Sequence, residues 1–157
     1  MKILLLTIGN TDKEYIKEGV DEYVKRLSFY LPFEIKPIPD IKNRNSLSVE
    51  LQKEKEGQLI LNNILSGDYL ILLDERGEKF SSTEFSKWIE KKMTAGMRQL
   101  VFVIGGPYGF SNTVYQRSDF KLSMSQMTFS HQMVRMIFVE QFYRAMTIIR
   151  NEPYHHA

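Results

Sequence analysis

From Arg98 onward the chain concentrates side chains that can move a proton or grip an anion. His131, His155 and His156 all lie there, with Arg98, Arg117, Lys121, Arg135, Arg144 and Arg150 opposed only by Asp119, Glu140 and Glu152. The segment SQMTFSHQ, residues 125–132, offers hydroxyls, an amide and an imidazole, and an imidazole titrates close enough to neutral pH to serve as acid or base. The tail EPYHH, residues 152–156, places Tyr154 behind Pro153 and beside two more imidazoles. Aromatic, histidine and arginine side chains together suit stacking and phosphate contacts with unpaired or flipped RNA bases. Each group also has a plainer reading. A lone histidine is commonly solvated or structural, a chain end frays, and Glu140 with Arg144 makes an i,i+4 ion pair. Arg135 is less easily dismissed, because a charge on an otherwise apolar side needs a specific partner.

Several chemistries are excluded. With no cysteine there is no disulfide, no thiolate metal site and no thiol nucleophile. The run GGPYG, residues 105–109, is followed by no Gly-Lys-Ser/Thr and lacks spaced glycines, so it is neither a P-loop nor a dinucleotide fingerprint. It is either a tight turn or a place where a flat ring or a phosphate comes close to the backbone. A formal charge of +2 does not by its sum announce a nucleic-acid partner. The opening MKILLLTIGN is too short for a signal-peptide core, and no apolar run reaches the roughly 18 residues of a membrane span, so a soluble cytoplasmic protein is expected. At 157 residues and 43% hydrophobic, one domain over residues 1–157 is expected.

The elements that must position these groups follow from periodicity. Lys2 to Ile8, Tyr69 to Leu73 and Leu100 to Ile104 are near-continuous apolar runs, as in strands buried on both faces. Phe33 to Ile38 is a strand interrupted by Pro37, which belongs at a sheet edge. Phe120 to Met124 is the last strand. Helices are expected over Asp12 to Phe29 behind a Thr11/Glu14 capping box, Val49 to Leu65, Ser81 to Ala95 behind a Ser81/Glu84 box, Ser111 to Arg117, and Met133 to Ile149. Asp74 to Gly77 reads as a turn and Asp40 to Ser48 as a polar loop. Strands alternating with helices make an α/β protein with a mainly parallel sheet. Ligands in such sheets sit beyond the carboxyl ends of the strands. The three ends to compare are Leu73-Asp74, Ile104-Gly105-Gly106 and Met124 leading into SQMTFSH.

The last helix is apolar on more than one face, through Met133, Val134, Met136, Ile137, Phe138, Val139, Phe142, Tyr143, Ala145, Met146, Ile148 and Ile149. A surface helix needs only one buried stripe. Either this helix is central, or a second subunit covers its other face; a symmetric homodimer is the preferred reading.

LVFVIGGPYG, then LSMSQMTFSHQMVR, EQFYRA and the terminal PYH follow one another in the order and spacing of the RlmH family, and MKILLLTIG, KEKEGQLIL and LLDERG extend the likeness along the chain. The sequence thus resembles the SPOUT-class methyltransferases that modify N3 of a pseudouridine in 23S ribosomal RNA. The resemblance implies a SPOUT-type α/β knot, with a trefoil knot in the C-terminal half, S-adenosyl-L-methionine as methyl donor, and a homodimer whose cofactor pocket lies near the partner subunit. It implies cofactor contacts at Leu73, Gly105, Met124, Ser125, Gln126, Met127, Thr128 and Phe129, and RNA or catalytic roles for His131, Arg144, Tyr154 and His155. Two positions depart from the family pattern: Ser130 stands where proline is usual before the histidine, and His156 where lysine or arginine often follows the terminal Tyr-His pair.

The activity expected from this resemblance is methyl transfer to the pseudouridine in helix 69 of 23S rRNA, with the assembled ribosome as the partner and no metal or membrane involved. Two other readings stand beside it: a non-enzymatic RNA-binding or ribosome-assembly factor on the same fold, and a methyltransferase of this class acting on another RNA.

Overall fold

A computed structural model describes residues 1–156. Its strands are β1 (Lys2–Ile8), β2 (Phe33–Ile38), β3 (Tyr69–Lys79), β4 (Gln99–Ile104) and β5 (Phe120–Ser123); its helices are α1 (Glu14–Leu27), α2 (Val49–Leu61), α3 (Ser82–Thr94), α4 (Asn112–Arg117) and α5 (His131–Ile149). The five strands form one parallel sheet in the order β2-β1-β4-β3-β5. Alternate residues explain why both faces are covered. Ile3 and Leu5 of β1 with Leu100, Phe102 and Ile104 of β4 meet Ile16 and Val20 of α1, Phe85 and Ile89 of α3, and Phe138, Phe142 and Met146 of α5. Leu4, Leu6 and Ile8 with Val101 and Val103 turn to the opposite face, where Ile60 of α2 and Val114 of α4 close a second layer. Burying both faces is what made these runs continuous rather than alternating. The proline-bearing β2 is an edge strand, as expected, paired only with β1.

The boundaries differ from the sequence reading chiefly in four places. Helix α1 begins at Glu14 behind Lys13, which makes no side-chain cap, so the Thr11/Glu14 box does not form. Thr11 is engaged elsewhere, as an acceptor for Arg135. Helix α2 stops at Leu61, short of Leu65. The expected turn at Asp74 to Gly77 is instead the continuation of β3, whose pairing with β5 resumes at Glu78 after an irregularity beyond Leu73. Helix α5 starts two residues before Met133, at His131. The Ser81/Glu84 capping box forms in full, with the Ser81 hydroxyl accepting from Glu84 N and the Glu84 carboxylate accepting from Ser81 N. Among the described residues, no helix is long and apolar enough to cross a membrane.

Candidate functional site

The parallel strands deliver three loops to the same end of the sheet, and these loops enclose a cavity of about 370 Å³. That volume lies within the roughly 300–1,000 Å³ typical of small-molecule sites. Leu73 comes from β3, Gly105 from the end of β4, and Met124, Ser125, Met127, Thr128 and Phe129 from the segment after β5; His131 closes one side. The three strand ends singled out in the sequence are thus neighbours. Gln126 is the exception: it is exposed and does not line the cavity.

The glycines keep the cavity wall thin. A Cβ on Gly105 would lie 2.9 Å from the Phe110 ring, and one on Gly106 would lie 2.6 Å from Glu56 Oε1. The Glu56 carboxyl is 5% exposed with Gln52 Nε2 donating to it at 3.3 Å, and burial pushes its pKa up. Leu73, Ile104, Met124 and Phe129 supply apolar surface, while Asp74 and Thr128 supply polar atoms. The Asp74 side chain is 8% exposed; it accepts from the Tyr115 hydroxyl and, at 2.9 Å, from Arg76 N. Thr128 Oγ1 donates to Glu75 Oε2 at 3.2 Å, tying the loop after β5 to β3. Asp74, Glu75 and Tyr115 were not singled out as site residues in the sequence. Only the position of Asp74 directly after the β3 run pointed there.

His131 is not a loop residue. It is the first residue of α5, capped by the Ser130 hydroxyl, which accepts from Met133 N at 3.1 Å. A serine at the proline position therefore gives the helix its N-cap. Burial and the Arg135 charge hold the His131 imidazole below its ordinary pKa, while a hydrogen bond involving the Gly105 backbone works the other way. Arg135, 1% exposed, donates to the carbonyls of Ile8, Gly9 and His131 and to Thr11 Oγ1 at 2.9 to 3.1 Å. Its partners are thus mainly backbone oxygens, and it clamps the start of α5 to the loop after β1.

The remaining predicted residues form a second cluster. At ~1.5 Å per residue, Arg144 lies about 20 Å along α5 from His131. Arg144 Nη2 donates to Glu140 Oε1 at 2.5 Å, and Arg144 Nη1 is 3.2 Å from His155 Nδ1. Because arginine only donates, Nδ1 accepts, and a neutral His155 presents Nε2–H outward. Tyr154 donates to Glu140 Oε1 at 2.9 Å and shares a 3.3 Å contact with the Tyr23 hydroxyl; burial, then these hydrogen bonds, push its pKa up. The tail is therefore folded onto α5. Arg144 Nε is buried and has no hydrogen-bond partner among the described residues. The ion pair read between Glu140 and Arg144 exists, and Tyr154 makes Glu140 part of the cluster.

Residues 1–155 match the family described as Predicted SPOUT methyltransferase. Proteins called Ribosomal RNA large subunit methyltransferase H from Parabacteroides distasonis and Flavobacterium johnsoniae are 59% and 58% identical to it over 156 residues, 99% of both chains in each case. Likeness to solved structures is more distant. A probable methylase family protein from Haemophilus influenzae gives a TM-score of 0.48 at 11% identity, over 96% of this chain and 66% of that one.

Proposed function

Because the chain belongs to the SPOUT methyltransferase family, we propose that it transfers the methyl group of S-adenosyl-L-methionine to N3 of the pseudouridine in helix 69 of 23S rRNA, acting as a homodimer on the ribosome. The observation that carries this is the convergence of the three strand-end loops and His131 on one cavity, with an arginine, tyrosine and histidine cluster displaced along α5.

The cavity suits an adenosyl group: apolar surface for a flat ring, Gly105, Gly106 and Gly109 in its wall, and the Asp74 and Thr128 oxygens for hydroxyls. Leu73, Gly105 and, from the loop Met124 to Phe129, all but the outward Gln126 would hold it. The bound donor supplies an electrophilic methyl, and the protein's main task is then to align the acceptor nitrogen with it.

A cluster about 20 Å away cannot align an acceptor in the cavity of its own subunit. A dimer removes the difficulty. Met133, Ile137, Arg144 and Ile148 share the side of α5 turned from the sheet, and each is only partly buried. Two such helices crossing antiparallel place Arg144, Tyr154 and His155 of one subunit beside His131 of the other. Arg144, whose Nη atoms face Glu140 and His155, supplies the positive charge that steadies an oxygen of the base or a phosphate. His155 donates from Nε2 to a base carbonyl. With the methyl leaving the donor's sulfur, which is left as a neutral thioether, the N3 proton would pass to the Tyr154 oxygen and the phenolic proton to Glu140 Oε1; the raised phenol pKa keeps that proton in place until then. The trefoil knot belongs to this proposal too: after edge strand β5 the chain must cross the loops following β3 and β4 to reach the α5 position between α1 and α3.

Two measurements test the function. Ribosomal RNA from cells lacking the protein is expected to lose one methyl mass at the helix 69 pseudouridine; an unchanged mass there would remove this substrate. A chain ending at Asn151 is expected to bind S-adenosyl-L-methionine in calorimetry yet transfer no methyl group. Full transfer by that variant would take Tyr154 and His155 out of the chemistry.

A further inference from the structure

A second, smaller hollow lies where α1 ends beside the last turn of α5. It measures about 240 Å³ and is lined by Arg26, Phe29, Tyr30, Tyr143, Arg150 and Glu152. That is below the usual range for a whole cofactor and suits a single flat ring. Phe29 is 78% exposed, although a phenyl group gains nothing from water there. Around it the rings are tilted rather than close-packed: Tyr30 and Tyr143 meet edge-on at 6.0 Å, and Tyr143 meets Tyr154 edge-on at 4.8 Å. The Arg150 guanidinium stands 5.1 Å from the centre of the Tyr30 ring, and that of Arg26 stands 5.6 Å from Tyr143 and 5.7 Å from Tyr23. Tyr30 is held in position by donating to Glu152 Oε2 at 2.6 Å.

We propose that this hollow is an RNA subsite, taking an unpaired nucleotide that flanks the one modified, its base against Phe29 and Tyr30 and its phosphate between Arg26 and Arg150. The proposal rests on the methyl-transfer reading, because Tyr143 and Tyr23 join the hollow directly to Tyr154. A strand whose target base reached the Arg144, Tyr154 and His155 cluster would have its neighbour over these rings. The chemistry favours nucleic acid over a protein. Arg26 and Arg150 present two cations to the hollow; beside them Glu22 pairs with Arg26 at 3.3 Å and Glu152 accepts from Tyr30, which leaves the Arg150 charge without a carboxylate partner among the described residues. Exposed aromatic faces flanked by arginine are the sequence-tolerant means of holding single strands. A two-fold contact between copies centred here would instead set arginine against arginine.

The test uses the full-length protein and a fluorescent six-nucleotide oligouridine. Phe29→Ala is expected to weaken binding at least about fivefold, the lower end of what one lost base stack costs. Arg26→Ala with Arg150→Ala should lower the salt slope of log affinity by about 1.4, at ~0.7 per cation for single strands. Both variants should keep the subunit association of the parent in sedimentation and its affinity for S-adenosyl-L-methionine in calorimetry. Oligouridine affinity unchanged in both variants, or no salt-sensitive binding by the parent, would overturn the subsite. Dissociation of the variants into single chains would do the same, marking the hollow as a contact between copies. The parent's cofactor titration reads the methyl-transfer proposal separately, so loss of one conclusion is distinguishable from loss of the other.

Discussion

At the scale of single residues, two ionisable groups set measurable behaviour. Arg135 satisfies four oxygens from Ile8, Gly9, Thr11 and His131. Replacing it with methionine keeps most of the volume but strands those acceptors, and unmade buried hydrogen bonds cost ~1–3 kcal/mol each. Arg135→Met is therefore expected to lose at least ~4 kcal/mol in urea unfolding; an unchanged midpoint would contradict the clamp. His131 has the opposite character. Its folded pKa is depressed, so below the unfolded value of about 6.5 the unfolded chain takes up the proton first. Stability from this site is complete above that pH and falls as pH drops toward the folded value. His131→Gln should flatten that limb of the stability profile between pH 7 and 5, and a limb of unchanged slope would assign the proton elsewhere. His131 was legible in the sequence as a titratable group, whereas the helix start that carries it was not. Its cap is Ser130, whose hydroxyl can serve a loop or a cap equally well.

At the scale of elements, the long β3 is the least expected feature. An apolar run ending at Leu73 read as a complete strand, and the polar residues beyond it as a turn; pairing with β5 overrides that local signal and carries the strand to Lys79. Gly77 shows how closely the two segments approach, since a Cβ there would lie 2.6 Å from the Lys121 carbonyl carbon and oxygen and 2.8 Å from Leu122 N. Backbone cannot yield as a flexible side chain can. Gly77→Ala is expected to destabilise by ~2 kcal/mol and to weaken cofactor binding, because β3 and β5 carry two of the three cavity loops. Calorimetry on the variant checks this, and parent-like affinity would show that the cavity tolerates a displaced β5. The capping box of α3, by contrast, was readable in full, because its two partners sit three residues apart and need nothing from the rest of the chain.

At the scale of the whole molecule, the separation of the cavity from the Arg144, Tyr154 and His155 cluster is the fact to be explained, and the proposed homodimer accounts for it by a composite site between two subunits. Ile137 stands midway along the partly exposed side of α5. A carboxylate there would be desolvated without a partner in any close α5–α5 contact. Ile137→Asp is thus expected to give single chains in sedimentation and at least about a hundredfold less methyl transfer at working concentrations, since such an uncompensated charge costs ~3–5 kcal/mol. A variant that sediments as single chains yet transfers methyl at the parental rate would show that one subunit suffices.

The sequence alone determined the alternation of strands and helices, the edge position of the proline-bearing strand, the three strand ends that make the cavity, and the family. All of these follow from local patterning or from residues read in order. Only the tertiary structure decided that Arg135 serves backbone oxygens more than a hundred positions away, that β3 runs on past its apolar core, and that the tail lies back on α5 with Tyr154 reaching Glu140. Those outcomes depend on which groups meet after packing, and a buried donor's choice of acceptor is not written in the spacing of its neighbours.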